Sequence, residues 1–190
     1  MRDLKTRLEK AFKRVDIPKP ESLQPFEEYI NTLTQWNRSI ALISKREENI
    51  VNHLVAPSLL FFKVFKKDNL KIIDIGSGAG FPAVILKIYK PTLSITMIEP
   101  NHKKTAFLRY ICSKLNLKCS IIDKRLEEID EELICDVITA RAINLRNMID
   151  EIKKIRAGHL FYLTSKDNQL DFDLKQEILF KNHCAKIYTL

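Results

Sequence analysis

The chain has 190 residues and a hydrophobic fraction of 45%, which suits one globular core and excludes a disordered chain. Its 32 Lys and Arg outweigh 24 Asp and Glu for a net charge of +8; that excess suits a polyanionic partner, yet it divides evenly between residues 1–70 and the remainder. No apolar run approaches the roughly 18–20 residues of a membrane span, Met1-Arg2-Asp3-Leu4-Lys5 carries no apolar secretory segment, and neither Cys112, Cys119, Cys135 and Cys184 nor the four histidines have metal-ligand spacing. The expectation is a cytoplasmic protein with reduced thiols, no metal and no membrane partner.

In chain order, Leu4, Leu8 and Phe12 predict a helix from Asp3 to Arg14, which Pro18 and Pro20 end. Ser22 is placed to cap a second helix reaching about Trp36, with Phe26, Ile30 and Leu33 inward. A third helical stretch runs from about Glu47 to Lys67 and is kinked or divided at Pro57. From Lys71 the pattern changes. Lys71–Ile75, Ser94–Glu99, Ser120–Asp123 and Asp136–Thr139 are short apolar strands, with helices over Ala83–Lys90 and Asn101–Leu117 and a charged link over Lys124–Glu132. Leu160–Leu163 is a fifth strand, Phe172–Phe180 a late helix, and Lys186–Leu190 a terminal strand. Alternating strands and helices imply right-handed crossovers and a parallel sheet. The predicted architecture is α/β: a helical cap over residues 1–67 on a mostly parallel, Rossmann-like core over residues 68–190, together one compact unit.

Three of the four glycines stand in Gly76-Ser77-Gly78-Ala79-Gly80, between the first strand and Phe81-Pro82. Such a turn lets backbone N–H groups approach a ligand where a side chain would obstruct. A P-loop needs Gly-Lys-Ser/Thr, which is absent. A dinucleotide or flavin fingerprint needs a third glycine where Phe81 stands. Asp74-x-Gly76-x-Gly78-x-Gly80 instead looks like the first motif of S-adenosylmethionine (SAM)-dependent methyltransferases of class I. Glu99, at the end of the second strand, is placed to accept hydrogen bonds from ribose hydroxyls; the alternative is a cap for the helix after Pro100-Asn101. Asp74 is expected to orient the loop or meet the SAM ammonium. Leu126 and Glu127, after the third strand, are where adenine contacts are expected.

The rest of the chain restricts the chemistry. No Asp/Asn-Pro-Pro-Tyr/Phe follows the fourth strand, where Thr139-Ala140-Arg141-Ala142 stands, and no Pro-Cys occurs. Amino-group and pyrimidine C5 methylation are therefore disfavoured. A target that is already nucleophilic, such as a ring nitrogen, needs mainly alignment with the sulfonium methyl. Arg141 at the strand end is suited to a phosphate, a base edge or the SAM carboxylate, with an ordinary surface arginine as the plain alternative. Lys103, Lys104 and Arg109 form a basic surface that is either an RNA contact or a solvated helix face.

Together these segments resemble the bacterial 16S ribosomal RNA (guanine-N7) methyltransferases, RsmG or GidB. The matching stretches are Trp36-Asn37, Ile73-Asp74-Ile75-Gly76-Ser77-Gly78-Ala79-Gly80-Phe81-Pro82, Glu99-x-x-x-Lys103-Lys104-x-Ala106-Phe107-Leu108-Arg109, Arg125-Leu126-Glu127-Glu128 and Asp136-Val137-Ile138-Thr139-Ala140-Arg141-Ala142. The resemblance implies formation of 7-methylguanosine in the decoding-region loop of 16S rRNA (guanosine 527 in the family) on free or assembling small subunits. It further implies SAM contacts at Gly76, Phe81, Leu126, Glu127 and Arg141; a monomer is the separate expectation for this chain. Departures from the family pattern fall at Ala41-Leu42-Ile43, at Asn52-His53-Leu54-Val55-Ala56-Pro57, at Ala83, and at Leu163-Thr164-Ser165-Lys166, where Ser165 or Lys166 stands in for the family lysine. His53 and Lys166 are thus substrate-side candidates, His53 equally a packing histidine. Two other functions fit the same residues: methylation of a small molecule or protein, and a SAM-binding RNA or assembly factor.

Overall fold

The computed structural model describes residues 4–44, 49–181 and 183–190. Asp3 and Glu47, where two predicted helices begin, lie outside them. Helix α1 (Leu4–Val15) turns Leu8 and Phe12 inward, and α2 (Gln24–Trp36) does the same with Phe26, Ile30 and Leu33. The N-cap of α2 is Leu23, without a side-chain bond, rather than Ser22, whose hydroxyl accepts instead from the Gln24 N–H at 3.2 Å. The third helical stretch is divided into a π turn over Val51–Val55, α3 (Ala56–Leu59) and α4 (Phe61–Val64). Pro57 accounts for the disruption: an α-helical partner for the His53 carbonyl would be the N–H of residue 57, which proline lacks.

Seven strands form one sheet in the order β3-β2-β1-β4-β5-β7-β6. They are β1 (Lys71–Ile75), β2 (Ser94–Ile98), β3 (Cys119–Ile122), β4 (Val137–Arg141), β5 (His159–Thr164), β6 (Asp173–Phe180) and β7 (His183–Thr189). The first five run parallel, and β7 is antiparallel to both β5 and β6. Between them lie α5 (Ala83–Tyr89), α6 (His102–Lys114) and α7 (Ile149–Lys154). The chain moves outward one way from β1 and the other way from β4, so the switch point falls at the carboxyl ends of β1 and β4, where such sheets bind ligands.

The late helix expected over Phe172–Phe180 is strand β6 instead. Lys, Gln, Glu and Leu favour a helix when weighed alone. Pairing with β7 decides the matter, and Leu174, Ile178 and Phe180 are the residues of this edge strand turned toward the protein.

The pleat divides the interior into two cores. Ile72, Ile95, Met97, Val137, Phe161 and Leu163 face one side, Ile73, Ile75, Ile98, Ile138, Leu160 and Tyr162 the other. On the first side α1–α6 share a single apolar cluster with the sheet, joined by Phe12 on Tyr89 and Tyr29 on Phe81. The second side is thinner and is closed by α7 and short 3-10 turns at Leu126–Glu128 and Leu145–Met148.

Candidate active site

The glycine turn leaves β1 with φ of +66° at Gly76, +57° at Gly78 and +95° at Gly80, a region that L side chains enter only with strain. Space adds a second constraint at two of them. A Cβ on Gly80 would stand 2.4 Å from Val84, and one on Gly76 would stand 3.0 Å from Ile143; at Gly78 it would make only ordinary contact, 3.8 Å from the Gly76 carbonyl oxygen. Gly80 and Phe81 thus serve packing: Phe81 is buried against Tyr29 at 5.4 Å, and the Tyr29 hydroxyl donates to the Ala79 carbonyl at 2.6 Å.

Glu99 fastens the turn to the next helix. Its Oε2 accepts from the Gly78 N–H at 2.8 Å and its Oε1 from the Asn101 N–H at 3.0 Å. The side-chain cap of α6 is Asn101 itself, which accepts from Lys103 and Lys104 N–H groups. Each carboxylate oxygen of Glu99 keeps a second lone pair for another donor.

Asp74 is fully buried. Its Oδ1 accepts from the Thr139 hydroxyl at 2.6 Å, while Oδ2 has no partner among the described residues. Burial raises its pKa to about 7, against the lowering effect of hydrogen bonds from Ser77 and Thr139 and with a further upward push from Glu99. A buried carboxyl with one bare oxygen can take a proton near neutrality or receive a cationic or hydrogen-bonding ligand.

Two clefts open beside the turn at the carboxyl ends of the strands. The first, about 480 Å³, is lined by Ile75, Gly76, Ile98, Leu126, Glu127 and Ile143, with Asn144, Asn147, Met148 and Glu151 on its far wall. It brings together Gly76, Leu126 and Glu127 from the sequence-derived set. The second, about 440 Å³, lies at the ends of β4 and β5 and includes Arg141, Tyr162, Thr164, Ser165, Asn168 and His183. Ile143 and Asn144 belong to both walls. Ser165, not Lys166, lines the second cleft, and Lys166 is exposed.

Arg141 reaches back to the helical region, where its Nη2 donates to the His53 carbonyl at 3.1 Å, the carbonyl that Pro57 leaves without an α-helical donor. The His53 ring is exposed and stands 5.9 Å from that of His183. Lys103 and Arg109 lie exposed on α6 with Lys104 half-buried, away from both cleft linings. Asn144, Asn147 and Tyr162 were not singled out from sequence. Their one signal is position, since Asn144 and Asn147 follow the end of β4 and Tyr162 lies in β5. The Tyr162 hydroxyl donates to the Ile143 carbonyl at 2.5 Å and accepts from Asn168 at 2.8 Å, joining the loops that follow β4 and β5. Among the described residues no group of three His, Cys, Asp or Glu is placed to hold a metal, and no helix is long and apolar enough to cross a membrane.

Comparison with known proteins follows the geometry. The family model for rRNA small subunit methyltransferase G matches residues 22–183. Proteins named ribosomal RNA small subunit methyltransferase G are similar in sequence. That of Helicobacter acinonychis is 36% identical over 82% of this chain and 86% of its own length. That of Aquifex aeolicus is 35% identical over 74% of each chain. That of Mycoplasma capricolum is 38% identical over 71% of this chain, and the match spans 61% of its own length. In three dimensions, a SAM-dependent methyltransferase from Aquifex aeolicus superposes with a TM-score of 0.61 at 13% identity, over 83% of this chain and 97% of that one. TehB from Haemophilus influenzae superposes at 0.51 and 14% identity, over 70% and 66%. At those identities the likeness is one of fold.

Proposed function

The chain belongs to the family of rRNA small subunit methyltransferase G, and from that membership we propose that it transfers the methyl group of SAM to N7 of a guanosine in the decoding-region loop of 16S rRNA, releasing S-adenosylhomocysteine. The observation that carries the SAM reading is the junction of Glu99, Gly78 and the cleft lined by Gly76, Leu126 and Glu127. In this reading Glu99 would hold the ribose hydroxyls of SAM; Leu126, Ile98 and Ile143 with Glu127 would hold its adenine; and Asp74 would face its ammonium. The bare Oδ2 of Asp74 and the absence, among the described residues, of any side chain near the Cβ position of Gly78 support that fit. When bound, SAM would supply an electrophilic methyl on a sulfonium, whose carbon–sulfur bond breaks as the N7 lone pair bonds to the methyl carbon, leaving neutral S-adenosylhomocysteine.

The residues then have separate tasks. Glu99 ties the turn and α6 into one rigid rim, so the donor side is formed before the substrate arrives. Ile143, pinned by Tyr162, stands between the two clefts. The second cleft receives the guanine, with Arg141 holding a phosphate or the base edge at its mouth. No general base is required, because N7 carries no proton to remove.

The test is transfer of tritium from labelled SAM to purified small subunits lacking the modification, followed by borohydride–aniline cleavage and primer extension. The expected result is label in 16S rRNA and one new stop in the decoding-region loop. Label in no RNA, or a stop elsewhere, would contradict the reading.

A further inference from the structure

We propose that the outward face built from Trp36, Tyr110 and the basic residues of α6 is a landing surface for single-stranded RNA, on which an unpaired base stacks against Tyr110. The proposal rests on the RNA methyltransferase reading above and adds a contact surface away from both clefts. Tyr110 is one of few large apolar side chains left exposed, at 44%, while Phe107 one turn earlier is fully buried. Its ring is held from beneath. Trp36 lies 5.1 Å away with the two planes inclined by 38°, and Trp36 in turn meets Phe107 edge-on at 5.5 Å. The Lys114 ammonium stands 5.9 Å from the Tyr110 centroid. This is a fixed aromatic platform with a cation over its ring, which a stacking base would displace toward its own phosphate, and stacking of this kind accepts any base because every base has a π face.

Charge around the platform is complementary to a phosphate chain. Lys103 and Lys104 make no ion pair among the described residues, and Arg38 lies exposed just past the end of α2. Of the nearby acids, Glu28 is engaged by Lys114 at 3.6 Å and Asp123 by His102, Thr105 and Arg109 at 3.0, 3.1 and 3.8 Å, while Glu27 lines a cleft with Lys114. The face therefore presents a net positive field. It is also continuous with the cofactor rim, since α6 begins three residues after Glu99 and Lys103 to Tyr110 spans about 10 Å along the helix. Duplex RNA offers no free base face, so a single strand is the matching ligand.

The experiment measures binding of the whole chain to a fluorescein-labelled single-stranded RNA oligonucleotide and to the same strand annealed to its complement, across a salt series. Tyr110→Ala is expected to weaken single-strand binding about tenfold with little change for the duplex, whereas Tyr110→Phe, which keeps the ring, stays close to the parent. The Lys103→Gln/Lys104→Gln double variant is expected to flatten the salt slope by about 1.4, two phosphate contacts on a single strand. Unchanged SAM affinity in the Tyr110→Ala variant reports that it is folded. Parent-like single-strand binding by Tyr110→Ala, an equal loss on duplex, or a parent chain that binds neither RNA would each overturn the surface. A parent that binds the strand through Tyr110 but methylates no rRNA would instead overturn the preceding reading alone.

Discussion

At the scale of single residues, Asp74 is the group whose chemistry is most exposed to test. Its folded pKa of about 7 lies above the ordinary 3.8, so the folded state holds the proton more tightly than the unfolded chain does. The stability that this proton confers is complete below about pH 4 and is lost as pH rises through 7. Melting temperatures of the ligand-free protein are therefore expected to fall across that window more steeply than those of Asp74→Asn. The sign reverses for a ligand that places a cation beside the carboxylate. Binding then expels the proton, and SAM affinity is expected to rise with pH toward 7, by at most about tenfold per unit, and level off above it. Calorimetry in two buffers of different ionisation heat reads that proton directly, and Asp74→Asn should abolish it. The glycines separate into two kinds by the same residue-level reasoning. Gly80→Ala meets both a φ of +95° and Val84 at 2.4 Å, and is expected to cost about 2–4 kcal/mol in urea unfolding. Gly78→Ala, strained by its φ of +57° but with only ordinary contact at 3.8 Å, should cost less than that and weaken SAM binding instead.

At the scale of elements, Tyr162 ties the loop after β4 to the loop after β5 through one hydroxyl. Tyr162→Phe leaves the Ile143 carbonyl without that donor and is expected to cost about 1–3 kcal/mol. Because Ile143 forms part of both clefts, the same variant should raise KM for SAM and for the RNA together, while a purely structural loss would move only the melting temperature. What the sequence could disclose follows the same elements. β1, its glycine turn and α5 were legible because apolar run, glycines and Pro82 all punctuate one segment. Glu99 was legible from its place at a strand end. Strand β6 was not, because an edge strand owes its state to pairing with β7 rather than to its own residues. The walls made by Asn144, Asn147 and Tyr162 were hidden for a similar reason: their partners lie on loops joined only in the folded sheet. The bond from Arg141 to the His53 carbonyl spans 88 positions and has no local signature.

At the scale of the whole molecule, a seven-stranded sheet places both clefts at one edge, and a helical layer on one face shares its core. Helix α2 reaches the glycine turn through Tyr29, and Arg141 reaches the π turn, so the N-terminal helices bear on both the glycine turn and the cleft at the ends of β4 and β5. The positive charge is spread over the surface, and the account places its functional share on α6 and around Arg141. RNA binding is accordingly expected to weaken steeply with salt while SAM binding does not. The central claim, that this site methylates one guanosine of 16S rRNA, is met most directly by a mass-spectrometric modification map of 16S rRNA from a strain lacking the protein and from the same strain carrying it. 7-Methylguanosine in the decoding-region loop is expected to disappear in the first and return in the second, but not with a Glu99→Ala variant. An unchanged 7-methylguanosine signal at that loop in the deletion strain would contradict it.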